Sequence, residues 1–163
     1  MTAYAQYADI AGDYGHMRGM AWGLGGLLQF NLTSHFRIGC IGSTYSLDYQ
    51  SPGLSGSYLD MGYGGLTFEF CLPTAFGRFS LGAMAGGGGI TNLHVLSRTP
   101  DDTVSAHYES HAAMLASPIL TYEFWLTKAI SFLGRLEYLV AMHEGKVSTL
   151  GGPGFRIGIM FNK

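Results

Sequence analysis

Histidine, carboxylate, serine and cysteine side chains that share a face are where chemistry would be expected, and this chain offers few such groupings. His107, Glu109 and His111 alternate along HYESH, so on a β-strand all three leave the same face, a spacing that suits a divalent cation. No third His or Cys stands nearby in sequence, although His94 and His143 lie in other long connections. A polar strand end facing water accounts for the trio equally well, and no metal is assigned. Ser110 beside His111, and His143 with Ser148, are the pairs that acyl hydrolysis or transfer would use. Neighbours on a strand face opposite ways, so Ser110 and His111 do not form a nucleophile and its base. The Gly-rich runs GLGG and AGGGGI lack the Lys-Ser/Thr of a phosphate-cradling loop and suit a tightly bent sheet instead. Cys40 and Cys71 form neither a CxxC pair nor a zinc cluster. No catalytic group and no cofactor is expected.

The remaining ionisable residues are more informative by their parity. In a strand, residues two apart share a face. Following each strand from its phenylalanine, Arg37, Glu69, Arg78, Glu123, Arg135, Glu137 and Arg156 fall on the parity opposite Phe36, Phe70, Phe79, Phe124, Phe132 and Phe161. Parity alone does not say which face is inside. Charged residues are only 12% of the chain, too few to wet the outside of a barrel, and these seven nearly balance in sign. They therefore belong in a narrow lumen, where single burial would cost several kcal/mol each and a paired network is required. An Arg/Glu plug near the short turns is expected.

The elements that must carry this pattern follow from three Phe brackets: Phe30-NLTSH-Phe36, Phe70-CLPTAFGR-Phe79 and Phe124-WLTKAIS-Phe132, with Phe161 near the end. Each reads as a hairpin with a short turn. Phe30, Phe36, Phe70, Phe79, Phe124, Phe132 and Phe161 would form an aromatic girdle at one end of successive strands, and the positions that share their faces nearest that end carry no charge. Strands are expected near 3–10, 15–30, 36–46, 58–70, 78–88, 112–124, 131–141 and 154–161. The connections between them alternate between short turns and longer external loops at about 47–57, 89–109 and 142–152. The fold expected is all-β: an eight-stranded antiparallel up-and-down transmembrane β-barrel with a side-chain-filled interior, and residues 1–163 as one domain.

Net charge is −2 and no basic run is interleaved with aromatics, which argues against nucleic acid as a partner. No apolar run reaches the length of a membrane helix. The opening MTAYAQYADIAGDYG has neither a basic leader nor an apolar core, so the signal peptide of an exported protein is absent here; a mature barrel given a start Met, or a gene fragment, would look this way.

With AGDYGH leading into a Gly-rich strand, then NLTSHFRIG, YLDMGYGGLTFEF, FSLGAMAGGGGIT, LTKAISFLGRLEYLV and GFRIGIMF, the chain resembles the small bacterial outer-membrane β-barrels of the OmpA/OmpX type, common among proteins of the Bacteroidetes. The resemblance covers nearly the whole chain and implies residence in the bacterial outer membrane. It implies two partners, the lipid bilayer and the outer-membrane insertion machinery, and a monomer. Chains of that type usually end on an aromatic, whereas this one ends Phe161-Asn162-Lys163. The expected role is structural or surface interaction through the outer loops, with an unidentified surface ligand and no wide pore. Two alternatives are a lipid-active outer-membrane enzyme, an acyl hydrolase or transferase, and a soluble lipocalin-like ligand-binding barrel.

Overall fold

A computed structural model of the chain describes residues 2–12, 15–51, 54–98, 104–143, 146–148 and 153–161. Ten β-segments fill almost all of them: β1 Thr2–Gly12, β2 Gly15–Asn31, β3 Phe36–Ser51, β4 Leu54–Thr74, β5 Gly77–Arg98, β6 Val104–Trp125, β7 Ile130–Tyr138, β8 Val140–His143, β9 Lys146–Ser148 and β10 Pro153–Phe161. From β1 to β7 each pairs antiparallel with the next in sequence, and β8 pairs with β6 and β9. The ring closes where β10 pairs with both β7 and β1.

β7 and β8 are one strand with a flaw whose cause is Pro118. The register set by Ile119 opposite Glu137 continues unshifted to Ala116 opposite Val140. Between these pairs Pro118 has no N–H to give, and the Ser117 hydroxyl instead accepts the Tyr138 N–H at 3.1 Å. Counting β7 with β8, and β9 with β10, the ring is an eight-stranded antiparallel up-and-down barrel.

The short turns lie where the Phe brackets put them, at residues 32–35, 75–76 and 126–129. Two of them are built alike. The Thr33 hydroxyl accepts from the Phe36 N–H at 3.0 Å, and the Thr127 hydroxyl accepts from the Ile130 N–H at 3.0 Å. These threonines close the turns by offering the backbone a side-chain acceptor.

At the opposite end the expected loops are much shorter than the sequence suggested. Most of 47–57 and 89–109 is strand, because β3 and β4 pair as far as Ser51 opposite Leu54, and β5 and β6 as far as Arg98 opposite Val104. The 142–152 connection also carries pairing, His143 opposite Lys146. The first hairpin pairs to Gly12 opposite Gly15. The reason is that alternation survives the polar composition: Leu47 and Leu59 face each other across β3 and β4 and are buried, as is Ser57. Residues 52–53, 99–103 and 149–152 lie outside the described residues.

Close approach of strands sets the glycine pattern in the tight barrel. A Cβ at Gly86 would collide with the backbone of Gly64 and Gly65 on β4, while at Gly89, on the outward face, it would meet nothing within 4 Å. Gly86→Ala should therefore destabilise the folded barrel by about 1–3 kcal/mol, and Gly89→Ala should be nearly neutral. Denaturant midpoints of the two variants compare them directly.

Candidate functional site

Burial alternates residue by residue along the wall. On β3, Arg37, Ile41, Ser43, Tyr45 and Leu47 are buried while Phe36, Ile38 and Cys40 are exposed. On β6, Leu115, Ser117, Ile119, Thr121 and Glu123 are buried while Met114, Tyr122 and Phe124 are exposed. All seven phenylalanines of the expected girdle point outward and are exposed, from 37% at Phe79 to 76% at Phe161. Phe36 contacts two of its neighbours, edge-on with Phe70 at 5.4 Å and stacked with Phe68 at 5.7 Å. A soluble lipocalin-like barrel requires the reverse sorting, apolar inside and charged outside.

Inside, the charged residues gather in two sets. In the first, nearer the short turns, Glu69 is fully buried and accepts from four donors: Arg37 Nη2 at 2.9 Å, Arg135 Nη2 at 2.5 Å, Gln29 Nε2 at 2.7 Å and the Ser80 hydroxyl at 2.9 Å. Arg37 reaches on to Glu123 at 3.1 Å, and Glu123 also accepts from the Ser131 hydroxyl at 2.9 Å. Arg135 turns its Nε to the Thr121 hydroxyl at 3.0 Å. These partners come from β2 through β7, so the set bridges the lumen rather than running along one strand pair.

The second set joins Arg156 to Glu137 at 2.9 Å, with the Tyr63 hydroxyl accepting from Arg156 at 2.8 Å and donating to Glu137 at 2.7 Å; Arg156 also donates to the Ser43 hydroxyl. Arg135 and Arg156 lie directly opposite each other on β7 and β10, a like-charge pairing that is unfavourable on its own. Each guanidinium instead engages a different carboxylate, Arg135 with Glu69 and Arg156 with Glu137.

Arg78 stands apart from both sets. It lies across from Glu123 in the ladder, but its Nη1 donates to Asn31 Oδ1 at 2.7 Å, and it forms no ion pair among the described residues. Arg78 is half-buried and shares its parity with the buried Ser80. Its place at the first inward position after the turn leaves it at the mouth, where Glu123 is already held by Arg37 and Ser131.

Among the polar residues that complete the network, Gln29, Ser80 and Thr121 share the parity of the charged residues in sequence, whereas Ser43, Tyr63 and Ser131 were not singled out by sequence reasoning. It also missed a large apolar filling of the lumen: Tyr45, Leu47, Leu59, Met61, Met84, Ile90, Leu115, Ile119 and Leu139 are buried in one cluster. Within it the Tyr45 hydroxyl donates to Met61 Sδ, and Tyr45 meets Tyr63 edge-on at 6.4 Å. The signal was present in the same parity that located the charges. Only Leu47 and Ile90 fell in segments read as loops; the others lie within the expected strands, where the charged positions drew the reading.

Of the residues considered for metal or acyl chemistry, His111 and Ser110 are exposed near the far end of β6. The register sets the backbone of His94 opposite that of His107, and Asn92 opposite Glu109. The side chains of His94, His107, Glu109, His143 and Ser148 lie outside the described residues. Among the described residues no three His, Cys, Asp or Glu side chains gather as a metal set. Cys40 is exposed and Cys71 buried on opposite faces of the wall, and both are free thiols.

In sequence the chain matches no protein-family model and no curated protein. In structure it is similar to Neisserial surface protein A, with a TM-score of 0.63 and 11% identity over 97% of this chain and 92% of that one. It is also similar to Ail, the attachment invasion locus protein of Yersinia pestis, with a TM-score of 0.58 and 12% identity over 98% and 93%. Alternating burial, an apolar exterior, a filled lumen and ring closure between the last and first strands all agree with that likeness: the chain has the fold of the small eight-stranded outer-membrane β-barrels of the OmpA/OmpX type.

Proposed function

We propose that residues 1–163 form one barrel domain of the bacterial outer membrane, inserted as a monomer, with a structural or surface-interaction role and no open pore. The carrying observation is the sorting of side chains: large apolar groups such as Trp22, Leu24, Leu66 and Leu81 are exposed on the outward face, while Arg37, Glu69, Glu123, Arg135 and Arg156 are buried within. In this reading the phenylalanines meet the interface at the short-turn end, with short turns on the periplasmic side. The opposite mouth then carries the long hairpins β3–β4 and β5–β6 outward, and a surface ligand would meet those hairpins. One structural neighbour is a surface protein by name and the other an attachment protein, which supports a surface role. Closure of the lumen follows from its contents, since eight strands leave a channel that side chains just fill and here two ionic sets and an apolar cluster occupy it.

Protein refolded into detergent micelles should run faster on a gel before boiling than after it, as closed barrels do. Purified protein that stays soluble and monomeric without detergent would overturn the membrane reading. Insertion by the outer-membrane machinery is checked separately, by whether depleting that machinery in cells lowers the amount of the fast-running form.

A further inference from the structure

Away from the short turns, the outward face of three neighbouring strands turns polar at one level. On β4 Gly62 is followed outward by Asp60, on β5 Gly89 by Thr91, and on β6 Ala112 by Ser110. The register sets Ser46 opposite Asp60, Asp60 opposite Thr91 and Thr91 opposite Ser110, so the four form one row across β3 to β6. In the next outward row Asp48 stands opposite Tyr58, Tyr58 opposite Leu93 and Leu93 opposite Tyr108. Both rows leave the wall outward, since Leu47, Leu59, Ile90 and Ala113 on the alternate positions are buried. Tyr108 is 62% exposed, and Tyr58 and Leu93 are half-buried. The Ser46 hydroxyl donates to one oxygen of Asp60, while the side chains of Asp48, Thr91 and Ser110 have no hydrogen-bond partner among the described residues.

We propose that this face binds the neutral sugars of a membrane glycolipid, with Tyr58 and Tyr108 stacked on sugar rings and Asp48, Asp60, Thr91 and Ser110 bonded to sugar hydroxyls. Height and direction favour this occupant. The rows stand where the apolar face ends, and they look sideways from the wall, so a headgroup in the same leaflet lies against them. An interfacial aromatic belt sets its rings directly on the apolar band. Here a polar row separates the two. The charged side chains of both rows are carboxylates, which repel a phosphate but accept hydrogen bonds from hydroxyl groups. The negative face of a tyrosine ring attracts the C–H face of a sugar. Tyr58 and Tyr108 stand two strand spacings apart, about 10 Å, with Leu93 between them. One sugar ring does not span that distance, so the headgroup carries at least two. The site rests on the outer-membrane reading, which sets the height of the rows.

The test uses barrel refolded in lauryldimethylamine oxide, a detergent without sugar, and digalactosyl diacylglycerol as the probe, with retained lipid counted by native mass spectrometry. Wild type should retain the glycolipid and lose diacylglycerol of the same chains, and the Y58L/Y108L variant should bind the glycolipid about tenfold more weakly. Leucine keeps apolar area and removes the ring, so equal retention by wild type and variant overturns the proposal. Equal retention of diacylglycerol overturns it too. Preference for phosphatidylglycerol of the same chains overturns it in favour of phosphate recognition, and equally tight binding of the free disaccharide overturns it in favour of a soluble glycan. Y108L alone changes a well-exposed residue and serves if the double variant folds poorly. The heat-dependent gel shift separates the two readings: a barrel that shows the shift but does not prefer the glycolipid loses this site and keeps its proposed place in the membrane.

Discussion

Replacing Glu69 by Leu should cost the barrel about 3–5 kcal/mol of stability, the penalty for leaving a buried cation uncompensated. Glu69 is the common acceptor of the lower network, taking Arg37, Arg135, Gln29 and Ser80 at once. Removing it affects its two arginines unequally. Arg37 keeps Glu123 at 3.1 Å, but among the described residues Arg135 is left with only the Thr121 hydroxyl as a short-range acceptor, in a position with no exposure to water. The double variant Glu69→Leu, Arg135→Leu removes that stranded charge and should recover most of the loss, because apolar replacements of buried ion pairs are often neutral. Denaturant unfolding in detergent, read as a double-mutant cycle, checks both numbers. A Glu69→Leu barrel within about 0.5 kcal/mol of wild type would mean that the carboxylate is solvated and that the lumen is wet at this level.

The legibility of this structure varied with height along the barrel. Near the short turns the sequence was easy to read, because each Phe fixes a parity and charged residues fall only on the other one; Arg37, Glu69, Glu123 and Arg135 lie on that other parity and are joined by ion pairs. Nearer the far end the inward face changes from charged to apolar, as at Tyr45, Leu47, Leu59 and Met61. Inward and outward residues then no longer differ in type as charge differs from hydrocarbon, and the turn-rich SPGLSGS obscured what alternation remained. Backbone pairing needs only extended chain and a partner, so the hairpins continued where composition suggested a loop. Arg78 illustrates a different limit. Parity gives the face, but which carboxylate a side chain reaches depends on barrel tilt and competition for Glu123, which spacing within one strand does not encode.

The outward face provides the second large effect. On β4 the apolar ladder runs from Phe70 through Phe68 and Leu66 to Gly64 and Gly62, and ends at Asp60, whose carboxylate accepts from the Ser46 hydroxyl on the exposed side of β3. Ten residues at about 3.4 Å each make roughly 34 Å of strand. Tilted by about 40°, that projects to roughly 26 Å, close to the apolar band of about 25 Å that outer-membrane barrels present. Leu66, 72% exposed, lies near the middle of this ladder, and Ser46 lies at its end, directly opposite Asp60. Leu66→Arg should therefore cost about 2–4 kcal/mol in lipid, while Ser46→Arg should cost at most about 1 kcal/mol. In a water-soluble barrel the order reverses, since an exposed Leu→Arg change removes apolar surface from water and costs nothing. Unfolding from lipid vesicles, with both variants measured against wild type, decides between these outcomes. Equal small effects at the two positions would show that the apolar face does not lie in hydrocarbon, and the girdle would then need another explanation.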